Sequence, residues 1–397
     1  MEKLAILGGN AVFKKAIGYG HQYIDEADIK AVIEVLKSDF LTTGPKLIEA
    51  EKKLCDLTGA KHAVLIQNDT AALHAACHAA GVGPGDEVIT TPITFAASAN
   101  CAFYCGARPV FADIDPETYE IDPKSIEEKI TEKTKAVVAV DYTGAPVNVP
   151  LIKEICKKHN LVFIEDAAHS IGTKFNGTPV GKMADMTTFS FHPVKTVTSG
   201  EGGAILTDSD ELYKSLILFR SHGITRNQDW MSKESEGGWY YEQIDLGYNY
   251  RMTEMQAALL SSQLDKLSMY TARRKQIVAK YDNAFSQMPE ITIQKEYEGA
   301  DTTRHLYILQ LNLEKLNATR KEIYEALAAE GCGVNVHYIP TYHFPYYQKN
   351  GYKGVVCPNA EHLYERIVTI PLYYAMTDED VANVIESVKK VISYYKK

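Results

Sequence analysis

Short apolar runs alternate with helical stretches through the first half of the chain. Seven of these runs have the length of strands, at residues 62–66, 86–91, 108–114, 135–144, 161–170, 186–192 and 202–208. Several are apolar at nearly every position, which is typical of strands that are covered on both faces. Their alternation with helices predicts an α/β fold with a mostly parallel sheet between layers of helices.

The pattern changes after residue 250. Residues 253–285 have the apolar spacing of one long helix or of two joined helices. Two apolar runs follow, at residues 305–313 and 332–340, with a predicted helix between them at 319–331. The chain closes with an amphipathic helix at 378–397. We therefore expect a large domain with the N-terminal segment over residues 1–250 and a small α+β domain over residues 251–397.

Two other segments have a clear pattern. A helix is predicted over residues 25–38, where Asp25 can cap the first turn. Four apolar residues of this helix fall on one face: Ile29, Val32, Ile33 and Leu36. Residues 225–243 are polar and contain glycine, which predicts a long loop, and loops of that length are often functional.

Composition narrows the possible partners. The 397 residues are 45% hydrophobic and 23% charged, as in ordinary globular proteins. The net charge of −9 argues against a nucleic-acid partner, since phosphate backbones require a basic face. Without a secretory signal or an apolar run of about 20 residues, the chain is expected to be cytoplasmic and to have no membrane partner. The seven cysteines are odd in number and mostly in apolar segments, which favours reduced, structural thiols and no metal site.

Chemically useful residues follow three of the predicted strands. Residues 67–76 join a strand to a helix, so backbone N–H groups and the Thr70 hydroxyl could bind an anion there, although Asn68 or Asp69 could simply cap the helix. Glu165 and Asp166 follow a buried strand, where α/β sheets place ligands, or one of them caps the next turn.

Lys195 follows another strand, in "TFSFHPVKTVTSGEGG". A lysine beside a buried cofactor can have a lowered pKa and can form a Schiff base with a carbonyl group. The order along the chain is an anion site at a helix start, then Asp166, then Lys195. These three parts match the phosphate, the pyridine nitrogen and the aldehyde of pyridoxal 5′-phosphate (PLP).

Longer motifs extend this match. The segments "DLTGAKHAVLIQNDTAALHAA", "FIEDAAHSIG", "TFSFHPVKTVTSGEGGAILTD" and "GYNYRMTEMQAALLSSQL" resemble the sugar-nucleotide aminotransferases of the DegT/DnrJ/EryC1/StrS type. The resemblance runs from about residue 18 to the C-terminus. It implies the fold-type I aminotransferase architecture, PLP as cofactor, and a homodimer with active sites at its interface.

The resemblance also implies a role for each motif residue. Lys195 would be the Schiff-base lysine, Asp166 would pair with the pyridine nitrogen, and His169 would bond the ring hydroxyl. Phe95 would stack on the ring. The phosphate would be held by Asp69, Thr70 and Ser190, and by Asn249 reaching across from the neighbouring subunit.

Asp69 is a departure from the family, which usually has glycine or alanine before the threonine. A carboxylate beside a phosphate is unfavourable unless it points away, for example to cap the helix. The sequence therefore leaves the geometry of the phosphate site open.

Two segments, "YGHQYIDEADIKAVIEVLKSDFLTTGP" and "VAVDYTGAPV", are most similar to the C4-aminotransferases of pseudaminic acid synthesis. This similarity implies transfer of an amino group from L-glutamate to C4 of a UDP-linked 4-keto-6-deoxy-N-acetylhexosamine. The product would be UDP-4-amino-4,6-dideoxy-N-acetyl-β-L-altrosamine. Other hypotheses are amination at C3 or C4 of another UDP-, dTDP- or GDP-sugar, a PLP-dependent sugar dehydratase, and a non-catalytic binding protein. The presence of Lys195 argues against the dehydratases of the family, in which a histidine replaces the lysine.

A UDP-sugar substrate needs cations, an aromatic surface and hydrogen-bond donors. Three segments can supply them, at residues 18–23, 221–230 and 334–347. The candidate substrate residues are Tyr19, His21, Gln22, Arg226, Arg251, His337 and Tyr338. The alternative for the tyrosine-rich stretch is that its rings simply cover the small domain.

Overall fold

The computed structural model describes residues 3–397. The α-helices are α1 Glu26–Leu36, α2 Pro45–Thr58, α3 Asp69–Ala79, α4 Ala97–Tyr104, α5 Pro123–Lys129, α6 Val149–His159, α7 Asp210–Arg220, α8 Glu254–Leu264, α9 Leu267–Phe285, α10 Arg320–Ala329, α11 Pro345–Tyr347, α12 Pro358–Tyr364 and α13 Asp378–Tyr395.

The strands are β1 His62–Ile66, β2 Glu87–Thr90, β3 Arg108–Phe111, β4 Thr134–Val140, β5 Val162–Asp166, β6 Lys174–Phe175, β7 Thr178–Pro179, β8 Met186–Ser190, β9 Gly203–Thr207, β10 Ile224–Thr225, β11 Glu242–Gln243, β12 Ile291–Ile293, β13 Ala300–Asp301, β14 Tyr307–Leu311 and β15 Ile367–Ile370.

A seven-stranded sheet forms the centre of the large domain, in the order β1-β9-β8-β5-β4-β2-β3. Every pairing is parallel except those of β9 with β1 and with β8. All seven apolar runs of the first half became these strands, which confirms the predicted mostly parallel sheet. Several runs were predicted too long: β3, β4 and β5 end at Phe111, Val140 and Asp166, three or four residues before the corresponding runs end.

Helix starts follow the local sequence. Asp25 caps α1 as expected, in a reciprocal capping box with Asp28. Thr253, Thr319 and Thr377 form similar capping boxes at the starts of α8, α10 and α13. The predicted long helix over 253–285 is two helices, α8 and α9, separated at residues 265–266.

The apolar face of α1 is exposed in the single chain. Ile29, Ile33 and Leu36 are 44%, 41% and 57% exposed. The helix is instead attached through a polar residue: the buried Asp28 carboxylate accepts hydrogen bonds from Gln263 at 2.8 Å and from Lys266 at 2.6 Å. Val35, seven positions after Asp28 and on the same side of the helix, is 3% exposed, so the side of α1 that carries Asp28 and Val35 is buried while Ile29, Ile33 and Leu36 remain partly exposed.

The small domain is built on the antiparallel sheet β12-β14-β15, covered by α9, α10 and α13. Residues 332–340, one of the apolar runs, contribute only isolated bridges, between Ile17 and Cys332 and between Asn335 and Thr369. Only β14 corresponds to a predicted run, at 305–313, and the other two strands, β12 and β15, have no counterpart among the predicted elements.

The two cores meet within α9. Leu267 and Tyr270 pack with the large-domain cluster that includes Phe189 and Phe191, whereas Ile277 and Tyr281 pack in the small domain. The N-terminal segment also contributes to the small-domain core, through Leu4 and Phe13. The division at residue 250 stays a prediction.

Three smaller features complete the fold. The segment predicted as a long loop runs between the paired short strands β10 and β11. All seven cysteine side chains are unpaired thiols. Among residues 3–397, no helix is both long and apolar enough to cross a membrane.

Candidate active site

A cavity of about 1140 Å³ opens at the carboxyl ends of β4, β5 and β8. The large domain contributes Asp166, Ser190 and Lys195 to its lining, and the small domain contributes His337 and Tyr338. Ligand sites of α/β sheets occupy this edge because the strand ends and the helix N-termini converge there. The three sites inferred separately from the sequence therefore lie in one cavity.

Lys195 lies in the turn that follows β8. Its backbone N–H donates to the His192 carbonyl at 2.9 Å, which closes the turn. Its amine has no hydrogen-bond partner or ion pair within residues 3–397. Burial lowers the pKa of Lys195 to about 8, although the carboxyl groups of Asp69 and Asp166 oppose the shift. At pH 7 this pKa leaves about a tenth of the Lys195 amine uncharged and nucleophilic, far more than for an ordinary lysine.

Asp166 is the last residue of β5 and is 2% exposed. One carboxyl oxygen accepts a hydrogen bond from the Ser98 hydroxyl at 2.6 Å, and the other accepts one from the Ala168 N–H at 3.2 Å. Since Ser98 donates to Asp166, its oxygen accepts from Thr94 at 2.7 Å. Burial raises the pKa of Asp166, and these hydrogen bonds oppose the rise.

Ser98 and Thr94 are site residues that sequence reasoning missed. Their only sequence signal was the position of two hydroxyl residues just after a strand, on either side of Phe95. Glu165, by contrast, projects to the opposite face of β5 and accepts a hydrogen bond from Thr187 at 2.9 Å. It does not line the cavity.

His169 is a buried imidazole on the floor of the cavity. Its Nε2 lies 3.3 Å from the Tyr338 hydroxyl, and its Nδ1 is buried without a partner. Burial, with the charge of Lys195, lowers the pKa of His169 well below its usual range, so the ring is neutral. It can therefore both donate and accept one hydrogen bond.

The start of α3 presents free donors to the cavity. Asn68 caps the helix by accepting from the Ala71 N–H at 2.8 Å. Within residues 3–397, the backbone N–H groups of Asp69 and Thr70 and the hydroxyls of Thr70 and Ser190 have no partner. Unpaired N–H groups at a helix N-terminus favour an anion.

Asp69 does not cap α3, contrary to one sequence-based expectation for its carboxyl group. Its side chain lines the cavity, and its Oδ1 is buried without a partner. Burial, together with the nearby charge of Asp166, raises the pKa of Asp69 to about 8, and the positive charge of Lys195 opposes this shift.

The remaining predicted residues divide into two groups. Tyr19, Phe95, His337 and Tyr338 line the cavity, with Phe95 64% exposed at its rim. His21, Gln22, Arg226, Asn249 and Arg251 are not among the lining residues of the single chain. Arg226 donates to the Gly238 carbonyl at 2.9 Å and lies over the Tyr241 ring. The roles inferred for these residues stay predictions.

The residues present fit PLP. Four free donors suit the phosphate, a buried carboxyl suits the ring nitrogen, and an unpaired amine is available for the aldehyde. In the described part of the chain, no group of three or more His, Cys, Asp or Glu side chains could hold a metal ion.

Comparison with known proteins identifies a family. The model of the DegT/DnrJ/EryC1/StrS aminotransferase family matches residues 22–389. The spore coat polysaccharide biosynthesis protein SpsC of Bacillus subtilis is 41% identical over 94% of this chain and 96% of its own length. The UDP-4-amino-4,6-dideoxy-N-acetyl-beta-L-altrosamine transaminase of Campylobacter jejuni serotype O:2 is 37% identical over 96% of this chain and 98% of its own.

Two solved structures are similar throughout. Helicobacter pylori PseC, an aminotransferase involved in the biosynthesis of pseudaminic acid, has a TM-score of 0.89 and 34% identity, covering 96% of this chain and all of its own. The putative sugar aminotransferase Spr1654 of Streptococcus pneumoniae in its pyridoxamine phosphate (PMP) form has a TM-score of 0.89 and 33% identity, covering 95% of this chain and 99% of its own.

Proposed function

The chain belongs to the DegT/DnrJ/EryC1/StrS aminotransferase family and has its PLP-dependent, fold-type I architecture, and we propose that it aminates C4 of a UDP-linked 4-keto-6-deoxy-N-acetylhexosamine. L-Glutamate is the proposed donor, and UDP-4-amino-4,6-dideoxy-N-acetyl-β-L-altrosamine is the proposed product. The observation that carries the substrate is the similarity over nearly the whole chain to the Campylobacter transaminase and to Helicobacter PseC.

A second candidate is amination of another nucleotide-linked keto-deoxy sugar. The identity to SpsC, 41%, is higher than the 37% to the altrosamine transaminase, and SpsC is named for polysaccharide synthesis. The two candidate functions differ in the sugar carbon that is aminated, C3 or C4, and in the nucleotide of the substrate, for example UDP or dTDP. The residues that contact these parts of the substrate decide between them. The cavity is large enough for a cofactor and a sugar nucleotide in either case.

In the proposed reaction, bound PLP supplies an electron sink that stabilises negative charge on the reacting carbon. Lys195 Nζ moves the proton: its lowered pKa lets it accept a proton from the carbon of the amino donor and return one later. Asp166 holds a proton at the ring nitrogen through a charge-assisted hydrogen bond. The Ser98 hydroxyl keeps the Asp166 carboxylate oriented while it does so.

The other cavity groups bind and orient. Asp69, Thr70 and Ser190 would hold the phosphate through the free donors at the start of α3. Neutral His169, oriented by the Tyr338 hydroxyl, would bond the ring hydroxyl. Phe95 at the rim would cover the ring and exclude water from one face.

The functional unit is proposed to be a homodimer in the cytoplasm. The cavity lining of one chain has a single lysine and no arginine, but it has three carboxyl groups, on Asp69, Asp166 and Glu201. A sugar diphosphate requires additional cations, and Arg226, Asn249 and Arg251 lie outside the cavity of their own chain. Their placement supports a site completed across the dimer, with Asn249 on the phosphate.

The experiment that tests the function is product identification. The protein is incubated with PLP, L-glutamate and a panel of UDP-, dTDP- and GDP-linked 3-keto and 4-keto sugars, and products are identified by NMR. We expect amination of the UDP-4-keto-6-deoxy-N-acetylhexosamine at C4. Amination of a different sugar favours the second candidate, and turnover of no sugar with PLP bound refutes both.

A further inference from the structure

Asp69 is a second carboxyl group beside Lys195, at the point where the free phosphate donors converge. It is the first residue of α3, so its own backbone N–H is one of those donors. Its Oδ1 is buried and accepts no hydrogen bond within residues 3–397. An anion bound by the Asp69 N–H is therefore within reach of the carboxyl group of the same residue.

The charged groups around Asp69 do not neutralise it. Asp166 faces it from the end of β5, and Lys195 faces it from the turn after β8. Glu201, from the turn before β9, adds a third carboxyl group to the cavity lining. His74, on α3 itself, is neutral because burial lowers its pKa to about 4. Before any phosphate binds, the two buried carboxyl groups of Asp69 and Asp166 thus share one amine, that of Lys195.

A phosphate adds further negative charge, and carboxylates near one another or near a phosphate favour protonation. The carboxyl group of Asp69 already favours its neutral form, since burial and Asp166 raise its pKa to about 8. As a neutral acid, Asp69 has an O–H that can donate to a phosphate oxygen. As a carboxylate, it can only repel that oxygen.

We propose that Asp69 couples cofactor binding to a proton: the protein binds the cofactor phosphate with Asp69 as a neutral carboxylic acid, and ionisation of Asp69 weakens that binding. The proton comes from solvent when the free protein has Asp69 ionised, and it remains on the carboxyl group in the complex. This inference rests on PLP as the cofactor.

The coupling has a measurable consequence. For one linked proton, the affinity for the cofactor falls by up to about tenfold for each pH unit above the pKa of Asp69 in the cofactor-free protein. Lys195 titrates in the same range, and loss of its positive charge also weakens phosphate binding. A comparison of variants is therefore needed to separate the two groups.

The test uses PMP, which carries the phosphate and the ring but forms no covalent bond with Lys195. Its dissociation constant is measured by calorimetry on cofactor-free protein between about pH 6.5 and about pH 9.5 for wild type, Asp69→Asn and Ser190→Ala. Asparagine is the isostere of the neutral acid. Ser190→Ala is the matched control, because it removes a phosphate donor without changing a charge.

We expect wild type and Asp69→Asn to bind PMP equally at the acidic end and Asp69→Asn to bind at least about tenfold more tightly at the alkaline end. Ser190→Ala should weaken binding by a similar factor at every pH. At alkaline pH, wild type should also take up more protons on binding than Asp69→Asn, as measured in buffers of different ionisation enthalpy.

Parallel affinity curves for wild type and Asp69→Asn, with equal proton uptake, overturn the proposal. Failure of wild type to bind PMP at any pH overturns the cofactor assignment instead, so the two failures are distinguishable. If circular dichroism shows that Asp69→Asn does not fold, Asp69→Ser replaces it, with the same two outcomes.

Discussion

Replacing Asp166 with asparagine should slow the transfer reaction without displacing the cofactor. The substitution keeps the size of the side chain and removes its charge. The asparagine carbonyl can still accept a hydrogen bond from the Ala168 N–H. Its amide NH₂ can donate to the Ser98 oxygen, provided that the Ser98 hydroxyl hydrogen rotates away. Local structure is therefore preserved, and the lost quantity is the charge that, in the proposed function, would hold a proton at the ring nitrogen.

The expected magnitude follows from burial. Asp166 is 2% exposed, so water would screen little of its proposed interaction with the ring nitrogen. Loss of one preorganised electrostatic contact typically lowers a rate by about 10²-fold to 10³-fold, or about 3–4 kcal/mol. We expect Asp166→Asn to lower the transfer rate by at least about 10²-fold. Ser98→Ala keeps the charge of Asp166 and should lower the rate by about tenfold or less.

The assay is a single-turnover measurement in which the amino donor is added to PLP-loaded protein and the cofactor absorbance is followed. Cofactor content is quantified first, so that a slow rate cannot arise from an empty site. A near-wild-type rate for fully loaded Asp166→Asn would show that the carboxylate is only structural. A larger loss of rate for Ser98→Ala than for Asp166→Asn would show that the hydrogen bonds from Thr94 to Ser98 and from Ser98 to Asp166, and not the charge of Asp166, determine the rate.

Four further outcomes are expected. Lys195→Ala should abolish turnover yet still bind PMP, and full activity in this variant would refute its assignment. Asn249→Ala should weaken PLP retention without changing the absorbance of the bound fraction, and sedimentation of an active monomer would exclude the dimer-spanning site. Arg226→Ala should raise KM for the sugar nucleotide several-fold and leave KM for glutamate unchanged; wild-type values for both would remove Arg226 from the substrate site. Burial raises the pKa of Glu165 to about 7, so its contribution to stability is fully present below the ordinary carboxyl pKa of about 4.5 and is lost as pH rises from there to about 7. Glu165→Gln should therefore reduce the loss of Tm between about pH 4.5 and about pH 7.5, and an unchanged loss would show that other groups cause it.

The sequence was most informative where a functional residue directly follows a strand. The central sheet, the start of α3 and the placement of Asp166 and Lys195 at the carboxyl ends of strands were all predicted, because strand ends and helix starts are local features, whereas the roles of the two residues stay predictions. The same reasoning could not tell which of Glu165 and Asp166 lines the cavity, since both follow the apolar run. In the sheet, successive side chains project to opposite faces, and only Asp166 lines the cavity.

Non-local contacts were beyond sequence reasoning. Ser98 donates to Asp166, 68 positions away along the chain, only because α4 packs against β2, β3 and β4, and β4 is the neighbour of β5 in the sheet. Asp69 was a candidate cap, but Asn68 has the position and the free oxygen that the cap requires. Residues 332–340 are apolar like a strand, yet they form the cavity wall with His337 and Tyr338.

The apolar face of α1 shows what periodicity can and cannot determine. The spacing of Ile29, Ile33 and Leu36 correctly indicated an amphipathic helix, but periodicity does not specify which surface covers the apolar side. In the single chain Ile29, Ile33 and Leu36 stay 44%, 41% and 57% exposed, while the Asp28 carboxylate accepts hydrogen bonds from Gln263 and Lys266. The cavity is incomplete in a related way, because its lining has three carboxyl groups and one lysine, and an anionic substrate requires more cations. A second copy of the chain could cover the apolar face of α1 and could also supply cations to the cavity. An active monomer would leave both the exposed face and the missing cations without a physical explanation.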